Sequence, residues 1–176
     1  MAGKVLWHFT MSLDGFLAGP DHGLGWLAGV TNDPATIDHY VATTGAILAG
    51  RRGYDAGKDD PDAKPYGRWE GPMFILTHRP DVQDERFTFL SCDIAEAVRI
   101  GLEAAGGKNL EIFGADLGRQ CVQRGLIDEL HVHLAPVMIG DGVRVFDAPG
   151  QPPVRWARIH DGDPLRAVDL RYRLSG

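Results

Sequence analysis

Residues 126–142 run Leu126-Ile127-Asp128-Glu129-Leu130-His131-Val132-His133-Leu134-Ala135-Pro136-Val137-Met138-Ile139-Gly140-Asp141-Gly142. From Ile127 the pattern has period two. Leu130, Val132 and Leu134 face one way and Glu129, His131 and His133 the other, which is the signature of a β-strand.

Upstream of this strand the periodicity alternates. Leu110 to Phe113 reads as a strand, followed by a turn and helix from Gly114 to Arg124, stopped by Gly125. Asp93-Ile94-Ala95-Glu96 is a capping-box pattern. Ile94, Ala97, Val98, Gly101 and Leu102 then form one buried stripe, and Gly106-Gly107 ends that helix. Phe87 to Leu90, Pro72 to Leu76 and Ala46 to Ala49 read as short buried strands. Gly50 to Gly57 reads as a short helix, and the polar stretch from Lys58 to Trp69 as a loop. Asn32-Asp33-Pro34 starts a helix carrying Ile37, Tyr40, Val41 and Thr44, which Gly45 ends. Val5 to Thr10 is the first strand; a turn, Ser12 to Gly15, and a glycine-rich loop through Gly25 follow it.

Downstream, Val154 to His160 and Ala167 to Leu174 are expected to pair as a hairpin across Asp161-Gly162-Asp163-Pro164. The expected fold class is therefore three-layer α/β: a mixed, mostly parallel sheet with helices on both faces and a C-terminal antiparallel hairpin. Its 176 residues suit a single domain, 1–176.

Composition narrows the function. A formal charge of −6 argues against wrapping nucleic acid or holding an anionic membrane by bulk electrostatics. Trp7, Trp26, Trp69 and Trp156 are not interleaved with a basic stripe, so no single-strand stacking platform is indicated. No apolar run approaches the roughly 18 residues of a membrane span, and Met1 to Phe9 holds no signal-peptide core. Two distant cysteines, Cys92 and Cys121, fit a reducing cytoplasm. His131 and His133 could supply two zinc ligands. A pair without third and fourth partners is not a metal site, so hydrogen-bonded or exposed strand histidines are expected.

Three turns after strands suit an anionic ligand. Ala49-Gly50-Arg51-Arg52-Gly53-Tyr54 joins glycine and two guanidinium groups to a helix start. Leu76-Thr77-His78-Arg79-Pro80 places a hydroxyl and a guanidinium at a strand's carboxyl end. Ile112-Phe113-Gly114-Ala115-Asp116-Leu117-Gly118-Arg119 passes from strand through glycine into helix, a geometry that can cradle a diphosphate. Asp116 would repel phosphate if it turned inward, so it is expected to point away or to cap.

These segments, together with Met11-Ser12-Leu13-Asp14-Gly15-Phe16-Leu17-Ala18 and the opening stretch, resemble the dihydrofolate-reductase-like superfamily. Within it the chain is most similar to the reductase domain of bacterial riboflavin-biosynthesis deaminase-reductases. The most specific block is Leu-Ile-Asp-Glu-Leu-His followed by Ala-Pro-Val-x-x-Gly-x-Gly, and the resemblance covers nearly the whole chain, from about Val5 to the final hairpin. It implies an NADPH-dependent oxidoreductase acting on a small pyrimidine or pteridine, in the manner of 5-amino-6-(5-phosphoribosylamino)uracil reductase, and a homodimer. It implies that Leu17 and Ala18 lie along the nicotinamide. Gly50, Arg51 and Arg52 would open a helix over the phosphates, Thr77 and Arg79 would flank the 2′-phosphate, and Gly114, Ala115, Asp116, Leu117 and Gly118 would cradle the diphosphate.

The chain departs from relatives at Gly53, where Thr is usual, and at Ala115, which replaces the second glycine of a pair. True dihydrofolate reductases carry a carboxylate soon after Pro-Trp. Here Gly25-Trp26 lacks the proline and the nearest carboxylate is Asp33, which argues against dihydrofolate. Asp59-Asp60-Pro61 loosely matches the riboflavin reductases. Asp60 and Asp14 are the expected polar or proton-supplying groups, although Asp14 also suits an Asx turn. The zinc motif of a deaminase half is absent from the sequence. The alternatives are a dihydrofolate or broad pteridine reductase, and a non-catalytic nucleotide-binding module of the same fold.

Overall fold

The computed structural model describes residues 3–60, 64–79, 83–159 and 170–172. Its centre is β1 (Val5–Met11), where Val5 to Phe9 are all buried. Burial on both faces is what a strand inside a parallel sheet requires. β1 lies between β6 (Asn109–Phe113) and β7 (Glu129–Leu134), parallel to each. β3 (Thr44–Gly50), β4 (Met73–Leu76) and β5 (Thr88–Leu90) continue the sheet in the order β5-β4-β3-β6-β1-β7. Every pairing in it is parallel, so all six carboxyl ends open on one rim.

The helices cover both faces. α3 (Ile94–Ala104) and α4 (Ala115–Gln123) pack Ile94, Ala97, Val98, Leu117 and Cys121 against Trp7, Phe9, Leu48, Leu110 and Ile112. On the opposite face, Tyr54 of α2 (Arg51–Gly57) packs with Ala49 and Ile75. Tyr40 of α1 (Pro34–Thr43) stacks on His8, ring centroids 3.8 Å apart.

The helix ends follow the capping chemistry. Asp33 accepts a hydrogen bond from the Ala35 N–H, and Asp93 accepts one from the Ala95 N–H. The second half of the expected capping box is replaced: the Glu96 carboxylate takes the Arg99 guanidinium at 2.8 Å. Of the stripe expected on α1, Tyr40 is the buried residue, and Thr44 already belongs to β3.

Two short strands were not expected. β2 (Phe16–Ala18), inside the glycine-rich loop, pairs antiparallel with β8 (Val143–Arg144). The Arg144 guanidinium lies 4.4 Å from the Phe16 ring centroid. This pair is the antiparallel part of the fold among the described residues. The expected C-terminal hairpin lies largely outside them, and its described portions, 154–159 and 170–172, carry no regular secondary structure. The chain divides into two compact units, Met1–Phe146 and Asp147–Gly176, and the sheet and its helices belong to the first. No described helix is long and apolar enough to cross a membrane.

Candidate active site

The three turns expected to hold an anion meet on the carboxyl rim. Ala49 pairs with Phe113, so Gly50 and Gly114 leave the sheet side by side. Gly50 also pairs with Leu76, which sets Thr77 on the next strand over. Gly50 is the N-cap of α2, and Leu117 Cδ1 of α4 lies 3.5 Å from where a Cβ on Gly50 would stand. Two helices thus begin within van der Waals reach of each other on one rim.

Gly114 is the N-cap of α4 with φ +103° and ψ 149°, a conformation that only glycine adopts without strain. No atom lies within 4 Å of the position its Cβ would take, so the space in front of it is open. The Gly118 N–H is bonded back to the Gly114 carbonyl at 3.1 Å, and the earlier N–H groups of Ala115, Asp116 and Leu117 lie in the first turn, where a helix offers them no carbonyl partner. Asp116 turns along the helix, accepting from Gln120 Nε2 at 2.9 Å and facing Arg119 at 3.6 Å. It therefore points away from the N-terminus, as expected.

The cations at the rim differ in availability. Arg51 holds Asp55 through Nε, 2.9 Å from both carboxylate oxygens, and reaches the Arg79 carbonyl at 3.4 Å. Arg52 and Arg79 are exposed and form no salt bridge among the described residues. Thr77 is buried, and its hydroxyl accepts from the Arg79 N–H at 3.0 Å, which fixes the turn.

Packing and hydrogen bonding constrain several of the other expected site residues. Leu117 is a core residue, and the position of a Cβ on Gly118 is filled by the Trp7 indole, so any part the two take in a cradle is played by the backbone. Ala18 is 3% exposed, and its carbonyl crowds Gly142 across β2 and β8; Leu17 packs against the main core. Asp14 binds the Ser12 hydroxyl at 2.6 Å, the Gly140 N–H at 2.7 Å and the Ile139 N–H at 3.2 Å. Ser12, first, and these backbone donors hold its carboxyl below the usual range. These hydrogen bonds pin the turn after β1 to the loop at Ile139 and Gly140. Asp60 follows α2, and its carbonyl lies 3.5 Å from Arg86, two residues before β5. That places the Asp60 backbone within reach of the segment leading into β5. Asp33, the carboxylate nearest Trp26, is occupied as the cap of α1. A cleft of about 340 Å³ opens at the amino-terminal rim, between Thr44, Gly45, Trp69, Pro72, Ala105 and Lys108.

A polar cluster on the α1 face was missed in the sequence. Glu111 of β6 is fully buried, and its carboxylate accepts from the Thr44 and Tyr66 hydroxyls. His8 Nδ1 lies 2.7 Å from the Tyr66 oxygen and 3.2 Å from Glu111 Oε2. His8 Nε2 lies 2.8 Å from His133 Nε2. Beside them, Tyr40 meets His131 Nδ1 at 2.9 Å, and His131 Nε2 meets Glu129 at 2.9 Å. Burial, first, and the charges of Glu111 and Glu129 push the Tyr40 phenol up to about 12. Burial also raises Tyr66, with Glu111 adding to the effect. Tyr66 has φ +57°, a strained value that the two hydrogen bonds hold in place. His131 and His133 are hydrogen-bonded strand residues, the first to Tyr40 and Glu129 and the second to His8. The available signal was a polar residue inside each apolar run: Glu111 within Leu110 to Phe113, and His8 within Val5 to Phe9.

Comparison with known proteins agrees with this architecture. The chain is similar to the uncharacterized protein YwjB of Bacillus subtilis (strain 168), 30% identical over 150 residues, covering 83% of this chain and 84% of that protein. In structure it is similar to a putative riboflavin biosynthesis protein from Shewanella sp. PV-4, with TM-score 0.67, 22% identity, and 85% and 86% of the two chains covered. It is also similar to dihydrofolate reductase from Enterococcus faecalis complexed with NADP(H), with TM-score 0.60, 16% identity, and 85% and 80% covered. The structural likenesses show a dihydrofolate-reductase-like fold. The family described as RibD C-terminal domain matches residues 3–161, a span holding the whole parallel sheet and all three rim turns, and the chain belongs to that family.

Proposed function

We propose that the protein is an NADPH-dependent reductase of a small pyrimidine, most like 5-amino-6-(5-phosphoribosylamino)uracil. The observation that carries this reading is the side-by-side departure of Gly50 and Gly114 from adjacent parallel strands, each opening a helix on one rim. The open space before Gly114 and the N–H groups behind it fit a diphosphate. Arg52 and Arg79 fit a further phosphate, as forked guanidinium donors. Arg51 orients this edge through Asp55 and the Arg79 carbonyl.

NADPH bound there supplies the hydride. The chain aligns donor and acceptor, to within about 3–3.5 Å for reaction, and keeps water from the reacting atoms. Asp14 supports this indirectly, because two of its three hydrogen bonds, from Ile139 and Gly140, tie the turn after β1 to the loop before β8. The relation to riboflavin-biosynthesis proteins supports a ring-opened ribosylamino group as acceptor, reduced at C1.

The test is NADPH oxidation followed at 340 nm with 5-amino-6-(5-phosphoribosylamino)uracil and, in parallel, dihydrofolate. Turnover of the pyrimidine with little or none of dihydrofolate is expected. NADPH binding without turnover of either would favour a non-catalytic nucleotide-binding module.

A further inference from the structure

The hydrogen-bond pattern in the buried cluster dictates its tautomers. Two ring nitrogens 2.8 Å apart, His8 Nε2 and His133 Nε2, must share one hydrogen. The Tyr66 hydroxyl donates to Glu111, so toward His8 it can only accept, and Glu111 likewise accepts. His8 therefore carries its hydrogen on Nδ1, and its Nε2 is an acceptor. His133 must then donate from Nε2. Its own Nδ1 is left as a basic site with no protein partner among the described residues. This assignment follows from the network rather than from observed hydrogens.

By strand register, His133 is the member of this network nearest the carboxyl rim. His133 pairs with Thr10, one residue before both β1 and β7 end. Trp7 pairs with Ile112, which puts Gly114 near the level of Phe9. β6, β1 and β7 are consecutive in the sheet, so His133 lies two strand spacings from the Gly114 turn, about 10 Å.

The geometry points to His133 as the catalytic acid of this reductase, with His8 and Glu111 as positioning residues that fix its tautomer and orientation. This rests on the proposed reductase function. In the step, a C=N bond of the ring-opened ribosylamino group gains the NADPH hydride at C1. Its π pair moves to nitrogen, and nitrogen takes the proton from His133 Nδ1 to form N–H. The substrate is reduced by two electrons, NADPH is oxidised to NADP+, and His133 is left neutral to regain a proton from water. Burial, first, and then the neighbouring His8 and His131 lower the His133 pKa, which makes its cation a stronger acid. The other titratable groups around it are Glu111 on β6, Tyr40 on α1, Tyr66 after α2, and Glu129 on β7 with its partner Lys4.

The experiment compares wild type, His133→Gln and Glu111→Gln. Imidazole resonances of the cofactor-free protein are titrated by NMR, and NADPH oxidation with 5-amino-6-(5-phosphoribosylamino)uracil is measured from pH 5 to 9. In wild type, kcat/KM should fall as pH rises through the His133 midpoint seen by NMR. His133→Gln should lower kcat by about 10²-fold and flatten that profile, with NADPH Kd unchanged. Glu111→Gln should move the His133 midpoint. A wild-type profile that ignores this midpoint, or His133→Gln retaining kcat within about threefold, overturns the assignment while leaving the reductase reading intact. A wild type that binds NADPH but reduces no ribosylamino pyrimidine overturns both.

Discussion

The indole of Trp7 occupies the place where residue 118 would need a side chain, which is why α4 carries glycine there. The contact joins the centre of β1 to the first turn of the helix whose N-terminus faces the proposed diphosphate. Gly118→Ala is expected to overpack this contact and destabilise the protein by about 1–3 kcal/mol. The fall in Tm should come without a change in NADPH Kd of the folded fraction, checked by thermal denaturation and fluorescence titration on the same preparation.

Gly114→Val should rank the opposite way. No protein atom stands near its Cβ position, so nothing in the chain clashes, although φ +103° imposes a backbone strain of about 1–3 kcal/mol. The side chain would enter the space before α4. NADPH binding by the folded protein should weaken at least tenfold, about 1.4 kcal/mol. Unchanged affinity would make Gly114 a turn residue only.

Asp14→Asn tests the role of a pinned anion. Its carboxylate accepts three hydrogen bonds and has a lowered pKa, so it is charged at neutral pH. The variant should lower Tm and keep kcat within about threefold, because loss of a true acid costs about 10²-fold or more. A larger drop in kcat would restore Asp14 as the proton source.

The lowered pKa of His133 has a stability consequence. In the unfolded chain the imidazole takes its proton at the ordinary value near 6.5, above its folded value. Between the two, the unfolded state binds more protons, so stability rises with pH there. The contribution is full above about 6.5 and is lost as pH falls through the folded value. Urea denaturation of wild type and His133→Gln at pH 7.5 and 5.5 should show a smaller acid loss in the variant.

The parallel sheet was legible because its strands are short apolar runs closed by glycine, as at Ala49-Gly50 and Phe113-Gly114. The alternation of Glu129, His131 and His133 correctly placed them on one face. What escaped were partnerships between distant positions. Glu111 and His8 sit inside runs that read as apolar, and nothing local says that Thr44, Tyr66 and His133 satisfy them. β2 and β8 escaped because strands of three and two residues carry too little periodicity to read. Gly118 was taken as part of a cradle because a glycine facing a ligand and one facing a tryptophan look alike in sequence.

The central claim, that the carboxyl rim holds the phosphates of NADPH, is tested most directly by calorimetric titration of wild type with NADPH and NADH. Arg52 and Arg79 stand exposed and without salt bridges among the described residues, beside the Gly50 and Thr77 turns. One charge-assisted contact to the 2′-phosphate is worth about 1.5–3 kcal/mol. NADPH should bind with one site per chain and at least about tenfold more tightly than NADH. Equal dissociation constants, or no heat with either nucleotide, would contradict the account.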